Sequence, residues 1–304
     1  MRWVRYISDS DGLEHVGMLG SDTILALDAE EQLIDILGRG GLEQAAQTAA
    51  EAPFEVVVAS SVQLLAPIET PPSVRDFMSF EEHVTASMAA LGRSVSPVWY
   101  ERPVFYFSNP AAVAGPAQAI AIPPGCAEFD FELEIAAVVG ERCSDVAVDD
   151  AERYIAGYTI LCDWSARDFQ EREMTVGLGP SKGKDSATTL GPALVTPDEL
   201  ADRRSGNGYA LRMSVDVNGR PYSLGDWSSI HWSFAQMLSH ASRGTTLVPG
   251  DVLGSGTVGT GCILELGRVH GFERFPYLEA GDVVTLEVER LGRITTTIQP
   301  PRGA

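Results

Sequence analysis

The residues best placed to do chemistry in this chain are two carboxylates set two positions apart. Glu132 and Glu134 lead into an apolar run, Ile135 to Val139, that closes at Gly140. A short apolar run with such an end reads as a buried strand. Side chains alternate faces along a strand, so Glu132 and Glu134 share one. Two carboxylates on one face at the edge of a core repel each other. Solvent or a neighbouring arginine would relieve that repulsion. So would a hard divalent cation, because Mg2+ and Ca2+ take oxygen ligands.

Other segments carry polar groups in suggestive places. In "ILCDWSARDFQ" Asp163 follows an apolar strand, and Arg167 and Gln170 come four and seven residues later, on one face of a short helix. Asp168 lies off that face and suits a local cap or pair. Arg167 would also serve as a simple ion-pair partner of Asp163 or Asp168. "SVRDFMSFEEHV" puts Asp76 ahead of a helix that carries His83. Asp76 would equally serve there as a helix cap. "GKDSATTLGP" holds Lys184 in a Gly-rich loop, and "PGDVLGSGTVG" is a turn, a strand and a tight loop around Thr257.

Composition narrows the partners. The chain has 304 residues and a formal net charge of −20. Such a surface repels nucleic acid and anionic lipid, so neither is expected as a partner. Four cysteines, Cys126, Cys143, Cys162 and Cys262, form no C-x-x-C pair, which excludes zinc-ribbon and thioredoxin readings. The first residues show no signal-peptide apolar core, and no run approaches a membrane span. The expectation is a reduced, cytoplasmic protein with buried free thiols.

The elements that must position these groups are mostly strands. Residues 2–8, 13–19 and 23–27 read as strands, followed by helical residues 30–50 that Gly38 to Gly41 interrupt. The Pro-rich "APIETPPS" at 66–73 marks a boundary. A small N-terminal domain, residues 1–65, is therefore expected ahead of a larger one, residues 66–304. In the larger part strands are expected at 103–108, 131–139, 155–162, 190–195, 209–217, 251–255, 262–267, 282–289 and 292–298. Helices are expected at 80–91, 149–153, 166–172 and 230–242. Without regular alternation of strand and helix, a doubly wound parallel sheet is disfavoured. "GSGTVG" at 254–259 matches a dinucleotide-binding fingerprint, but "CILELG" after it reads as a strand, so that site is rejected. "GPSKGKD" ends like a phosphate loop, yet Leu178 and Asp185 stand where Gly and Ser or Thr are needed.

Seven pieces in one order resemble the fumarylacetoacetate hydrolase family. They are D-F-x(5)-H at 76–83, F-E-L-E at 131–134, D-W-S-A-R-D-x-Q at 163–170, G-K at 183–184, T-T-x-x-P at 188–192, G-S-G-T at 254–257 and L-E-L at 264–266. The resemblance covers about residues 66–299. It implies an α+β, mainly β fold: a mixed β-sandwich roll as C-terminal domain, with a small N-terminal α/β domain. It also implies a homodimer. Asp76, Glu132, Glu134 and Asp163 would be the metal ligands for Mg2+, with Ca2+ and Mn2+ as alternatives. His83 would be the general base and Glu265 the carboxylate that orients it. Arg167, Gln170 and Lys184 would donate to charge developing on the substrate. Tyr106 and Thr257 would line the substrate site, although "VFYFSNP" would also allow Phe105 or Phe107 in the pocket.

The implied reaction is hydrolysis of a carbon–carbon bond in a 1,3-diketo acid, with decarboxylation or keto–enol isomerisation of a 2-oxo acid as the alternative. A non-catalytic ion- or ligand-binding module is the third reading, and it would need no poised base. Three departures from the family pattern leave the substrate open. Met78 stands where the pattern has tyrosine beside the substrate. His83 is followed by Thr85 and Ala86, so the H-x-x-E pair of many short members is absent, with Glu81 and Glu82 as local candidates against Glu265. The stretch from Thr257 to Glu265 is short.

Overall fold

The computed structural model describes residues 1–90 and 92–303, and the expected helix end at Leu91 lies outside the described residues. The strand Leu133–Val139 is buried along its whole length, and its two faces feed two different cores. Ile135, Ala137 and Val139 point to one side. There they pack with Met213, Val215 and Val217 of the strand Arg212–Val217 and with Val284, Leu286 and Val288 of Val283–Val288. Ala136 and Val138 point to the other side and meet Trp3, Leu33, Ile36 and Leu37. The period of two that puts Glu132 and Glu134 on one face thus also separates the two hydrophobic layers.

Two sheets make the sandwich. The larger has twelve strands. Its main path begins at Val56–Val58 and runs through Arg2–Ile7, Thr188–Val195, Ile155–Asp163, Leu133–Val139, Val252–Gly254 and Val74–Phe77 to Phe105–Ser108. The smaller has five: Arg220–Asp226, Arg212–Val217, Val283–Val288, Gly292–Gln299 and Ile120–Ala121. The architecture is mixed and sheet-dominated, with helices at the ends and over one face. Residues 66–73 form no helix or strand, and pairing joins the segments on either side of them: Arg2 lies opposite Val195 and Trp3 opposite Leu194. The first strand therefore extends the large sheet, and Trp3 shares a core with Leu190 and Leu194.

Several expected elements differ. The largest correction is at 262–267, expected as a strand, where the chain forms the helix Ile263–His270. Its buried residues Ile263, Leu266 and Gly267 fall at helical spacing. Its first amides, Ile263 N and Leu264 N, donate to the Asp130 carboxylate at 2.7 and 2.9 Å. A cap supplied from 133 residues away leaves no local sequence signal. The expected strand 209–217 is broken into Gly208–Tyr209 and Arg212–Val217, and the strand Arg220–Asp226 was not expected. The helix expected from 230 begins at Phe234, after Ser233 and Gln236 close a capping box.

His15 gives the N-terminal strands a titratable support. Its Nδ1 lies 2.9 Å from the Leu27 carbonyl oxygen and its Nε2 3.0 Å from Asp11 Oδ2. Both partners accept, so only the imidazolium satisfies both. Burial alone would lower the histidine, but the Leu27 carbonyl and Asp11 outweigh it and the pKa is raised. A raised folded value means that the stabilisation is complete below 6.5 and is lost as pH rises through the folded pKa. Melting temperatures of the parent chain should therefore fall relative to those of a His15→Gln variant as pH rises above 6.5. Parallel curves for the two proteins would show that His15 carries no such linkage.

Candidate active site

Adjacent strands of the large sheet deliver the carboxylates to one place. Asp76 sits on Val74–Phe77, opposite Gly254, and Gly254 lies opposite Ala136 in the strand that begins just before Glu134. Asp163 ends Ile155–Asp163, which pairs Leu161 with Glu134 and Cys162 with Leu133. Glu132 precedes the strand and bridges Cys262 through the backbone. Ligand atoms of Asp76, Glu132, Glu134 and Asp163 all lie within 4.8 Å of one another, and all four residues are buried.

Gly254 makes this convergence possible. A Cβ there would stand 2.5 Å from Asp76 Oδ1 and 3.1 Å from Glu134 Oε2. Two residues on, the Gly256 amide donates to Glu134 Oε2 at 2.9 Å and to Asp76 Oδ1 at 3.2 Å. This arrangement replaces the reason for discounting "GSGTVG" as a nucleotide loop. A helix does follow it, but its amide faces carboxylates, which would repel a phosphate.

Two cations answer part of the charge. Lys184 Nζ donates to Glu132 Oε2 at 2.6 Å, Asp163 Oδ2 at 2.7 Å and Ser165 Oγ at 2.7 Å. All three of its hydrogens are thereby taken. Arg167 pairs with Asp130 and Glu132 at 2.8 and 2.7 Å; neither Asp163 nor Asp168, the ion-pair partners of the alternative reading, is its partner. Asp168, in the first turn of the helix Arg167–Met174, accepts from the Ala127 amide. Asp163 belongs to a strand, so of the expected helix face Arg167 and Gln170 lie on that helix. Gln170 accepts from Arg167 Nη1 at 3.0 Å. The side chains of Arg167 and Lys184 thus act on carboxylates in this arrangement.

The remaining charge is in excess. Burial would raise Glu132, but Arg167 and Lys184 hold it well below the usual carboxylate range. Burial raises Asp76, Glu134 and Asp163, and the Glu132 charge adds to it at each; Asp163 is pushed up to about 7. Tyr106, expected at the substrate, faces the carboxylates: its hydroxyl lies 2.5 Å from Asp163 Oδ2 and 2.9 Å from Asp76 Oδ2. One hydroxyl hydrogen cannot serve both. Burial and these two carboxylates push the phenol well above its ordinary value. Glu134 Oε1 and Asp163 Oδ1 are buried without a hydrogen-bond partner. Orphaned oxygens, surplus acceptors and four carboxylates fit a hard divalent cation, which would take Asp76, Glu132, Glu134 and Asp163 as ligands.

A second pair stands beside this cluster. His83, on the helix Glu81–Ala90, has Nδ1 2.7 Å from Glu265 Oε2, and both residues are buried. Glu265 Oε1 accepts from the Thr260 amide at 2.9 Å. Neither nearby alternative makes this contact: Glu81 accepts from the Tyr100 hydroxyl, and Glu82 lies against Gly259. Thr257 is buried in the loop after Gly256, while Met78 is partly exposed with its backbone against Gly256.

Two contributors were missed in the sequence. Asp130 holds Arg167 and caps the helix that carries Glu265. Its place two residues before Glu132 was an available signal, since the period of two places all three acids on one face. Thr260 has φ of +63°, a left-handed conformation that a β-branched residue adopts at a cost.

The model of the fumarylacetoacetate (FAA) hydrolase C-terminal domain matches residues 73–299. The chain is 33% identical over 193 residues to the 2,4-didehydro-3-deoxy-L-rhamnonate hydrolase of Sphingomonas sp. strain SKA58, covering 62% of each protein. It is 30% identical over 309 residues to the mitochondrial oxaloacetate tautomerase fahd2 of Xenopus laevis, covering 98% of this chain and 90% of that one. The fold is shared with maleylpyruvate hydrolase from Sphingobium sp. SYK-6, solved with manganese(II) and pyruvate. There the TM-score is 0.74 at 20% identity, over 99% of this chain and all of that one.

Filling the space beside Asp76 tests the cation assignment. A Gly254→Ala variant should bind Mg2+ or Mn2+ on the order of 10- to 100-fold more weakly, as expected for a disturbed ligand support. Calorimetric titration reads this, with near-ultraviolet circular dichroism to confirm folding. Unchanged affinity in a folded variant would place the ion elsewhere.

Proposed function

This chain belongs to the fumarylacetoacetate hydrolase family, whose members include hydrolases, isomerases and tautomerases, and on that premise we propose that it hydrolyses a carbon–carbon bond in a 1,3-diketo acid of the acylpyruvate kind. The observation that carries this reading is the buried His83–Glu265 pair beside the carboxylate cluster. Binding an ion or tautomerising an enol needs no water-activating base, whereas hydrolysis does.

A divalent cation, when bound, supplies Lewis-acid polarisation of chelating substrate oxygens. His83 does the proton work. With Nδ1 turned to Glu265, Nε2 faces the reaction and takes a proton from the water that adds to the carbonyl. Glu265 fixes the tautomer and stabilises the imidazolium. The tetrahedral adduct then collapses and the carbon–carbon bond breaks. Its electron pair leaves on the carbon between the two former carbonyls, which takes a proton back. Lys184 and Arg167 compete with any cation for Glu132 and Asp163. With those carboxylates shared by a bound cation, the donors of Lys184 and Arg167 would be available to the substrate's developing charge. Mg2+, with Ca2+ or Mn2+ as alternatives, a homodimeric assembly and a cytoplasmic location belong to the same reading.

A second reading has its own support. The likeness to an oxaloacetate tautomerase spans nearly the whole chain, and tautomerisation of a 2-oxo acid would use the same cation and no added water. The two readings separate on one variant. Under the first, His83→Ala should lower acylpyruvate hydrolysis about 10²- to 10⁴-fold, the usual contribution of a general base. Chelation of the metal should abolish it. Assays of the parent chain on acylpyruvates and oxaloacetate decide the matter. Oxaloacetate tautomerisation with no acylpyruvate cleavage would leave the second reading standing alone.

A further inference from the structure

A third side chain completes the surroundings of the His83–Glu265 pair. Cys262 is the residue before the helix Ile263–His270 and is fully buried. Ligand atoms of His83, Cys262 and Glu265 lie within 4.8 Å of one another. Imidazole, thiol and carboxylate within that reach are the donor set of a tetrahedral zinc site with one open position. The four-carboxylate cluster beside it offers oxygen only. The two clusters are neighbours because Glu132 and Cys262 pair through the backbone. Hard ions prefer the oxygen set and softer ions the sulfur and nitrogen set.

We infer that His83, Cys262 and Glu265 form a second, inhibitory site for a thiophilic divalent ion such as Zn2+. Binding places the ion between His83 Nδ1 and Glu265 Oε2, shifts the imidazole proton from Nδ1 to Nε2, and releases the thiol proton of Cys262. Thiolate, carboxylate and neutral imidazole then balance the two positive charges, which suits a buried site. A His83 tied to zinc, with Glu265 drawn onto the same ion, no longer has the free imidazole that takes up a proton. Occupancy therefore switches off any chemistry that uses His83 as a base. Binding itself stands apart from the proposed hydrolase reaction, whereas the inhibitory effect rests on it.

The test loads the full chain with excess Mg2+, adds one equivalent of Zn2+ and records X-ray absorption at the zinc edge. The expected first shell holds one sulfur at about 2.3 Å with nitrogen and oxygen at about 2.0–2.1 Å. A shell of nitrogen and oxygen alone overturns the site. Cys262→Ser should lose the sulfur and bind zinc on the order of 100-fold more weakly. Cys126→Ser, at the half-buried thiol, should keep both. Sulfur lost in Cys126→Ser overturns the proposal, and this control decides even if Cys262→Ser does not fold. Turnover on whichever substrate proves active should fall in step with zinc occupancy. Sulfur-bound zinc with undiminished turnover overturns the inhibitory role. If no substrate is found, the absorption spectrum still decides whether the site exists.

Discussion

Negative charge held out of water needs compensation at short range, and the middle of this molecule is arranged around that need. Four buried carboxylates lie within 4.8 Å of one another. Leaving several such groups ionised and unpaired would cost several kcal/mol each. Lys184, Arg167, the Gly256 amide and the Tyr106 hydroxyl each meet part of the requirement. They do not meet all of it, because Glu134 Oε1 and Asp163 Oδ1 still lack partners. A divalent cation bound through these oxygens would meet the rest.

The same compensation reaches His83. Arg167 bridges Glu132 and Asp130, and Asp130 caps the helix Ile263–His270. That helix carries Glu265, which turns His83. The carboxylate cluster and His83 are thus joined by one series of short polar contacts. Thr260, in its left-handed conformation, pins the other oxygen of Glu265. Restricting both oxygens of one carboxylate leaves the imidazole a single orientation.

Much of this arrangement was legible before the coordinates. The strand period announced that Glu132 and Glu134 share a face, and Asp76 and Asp163 stand at the motif positions now seen converging. The alternating strand Val283–Val288 and the almost wholly buried strand Ile155–Asp163 lie close to where the pattern puts them. What failed was decided by distant partners. "CILELG" alternates well enough to pass for a strand, and its helical state depends on an aspartate far away in sequence. Arg167 had acids near it in the chain, yet its partners come from across the sheet. The resemblance places Tyr106 at the substrate site, and its contacts with Asp76 and Asp163 were not foreseen. Local patterns encode faces and turns; they do not encode which charge will answer which.

Lys184 gives the site a built-in substitute for part of an ion. Its ammonium already occupies acceptors on Glu132 and Asp163. An arriving metal therefore gains only the difference between its own attraction to those oxygens and that of the lysine. Without a metal, the lysine keeps Glu132 and Asp163 from being left wholly uncompensated. A cation bound there would be held by that difference alone, not by the full attraction of four carboxylates.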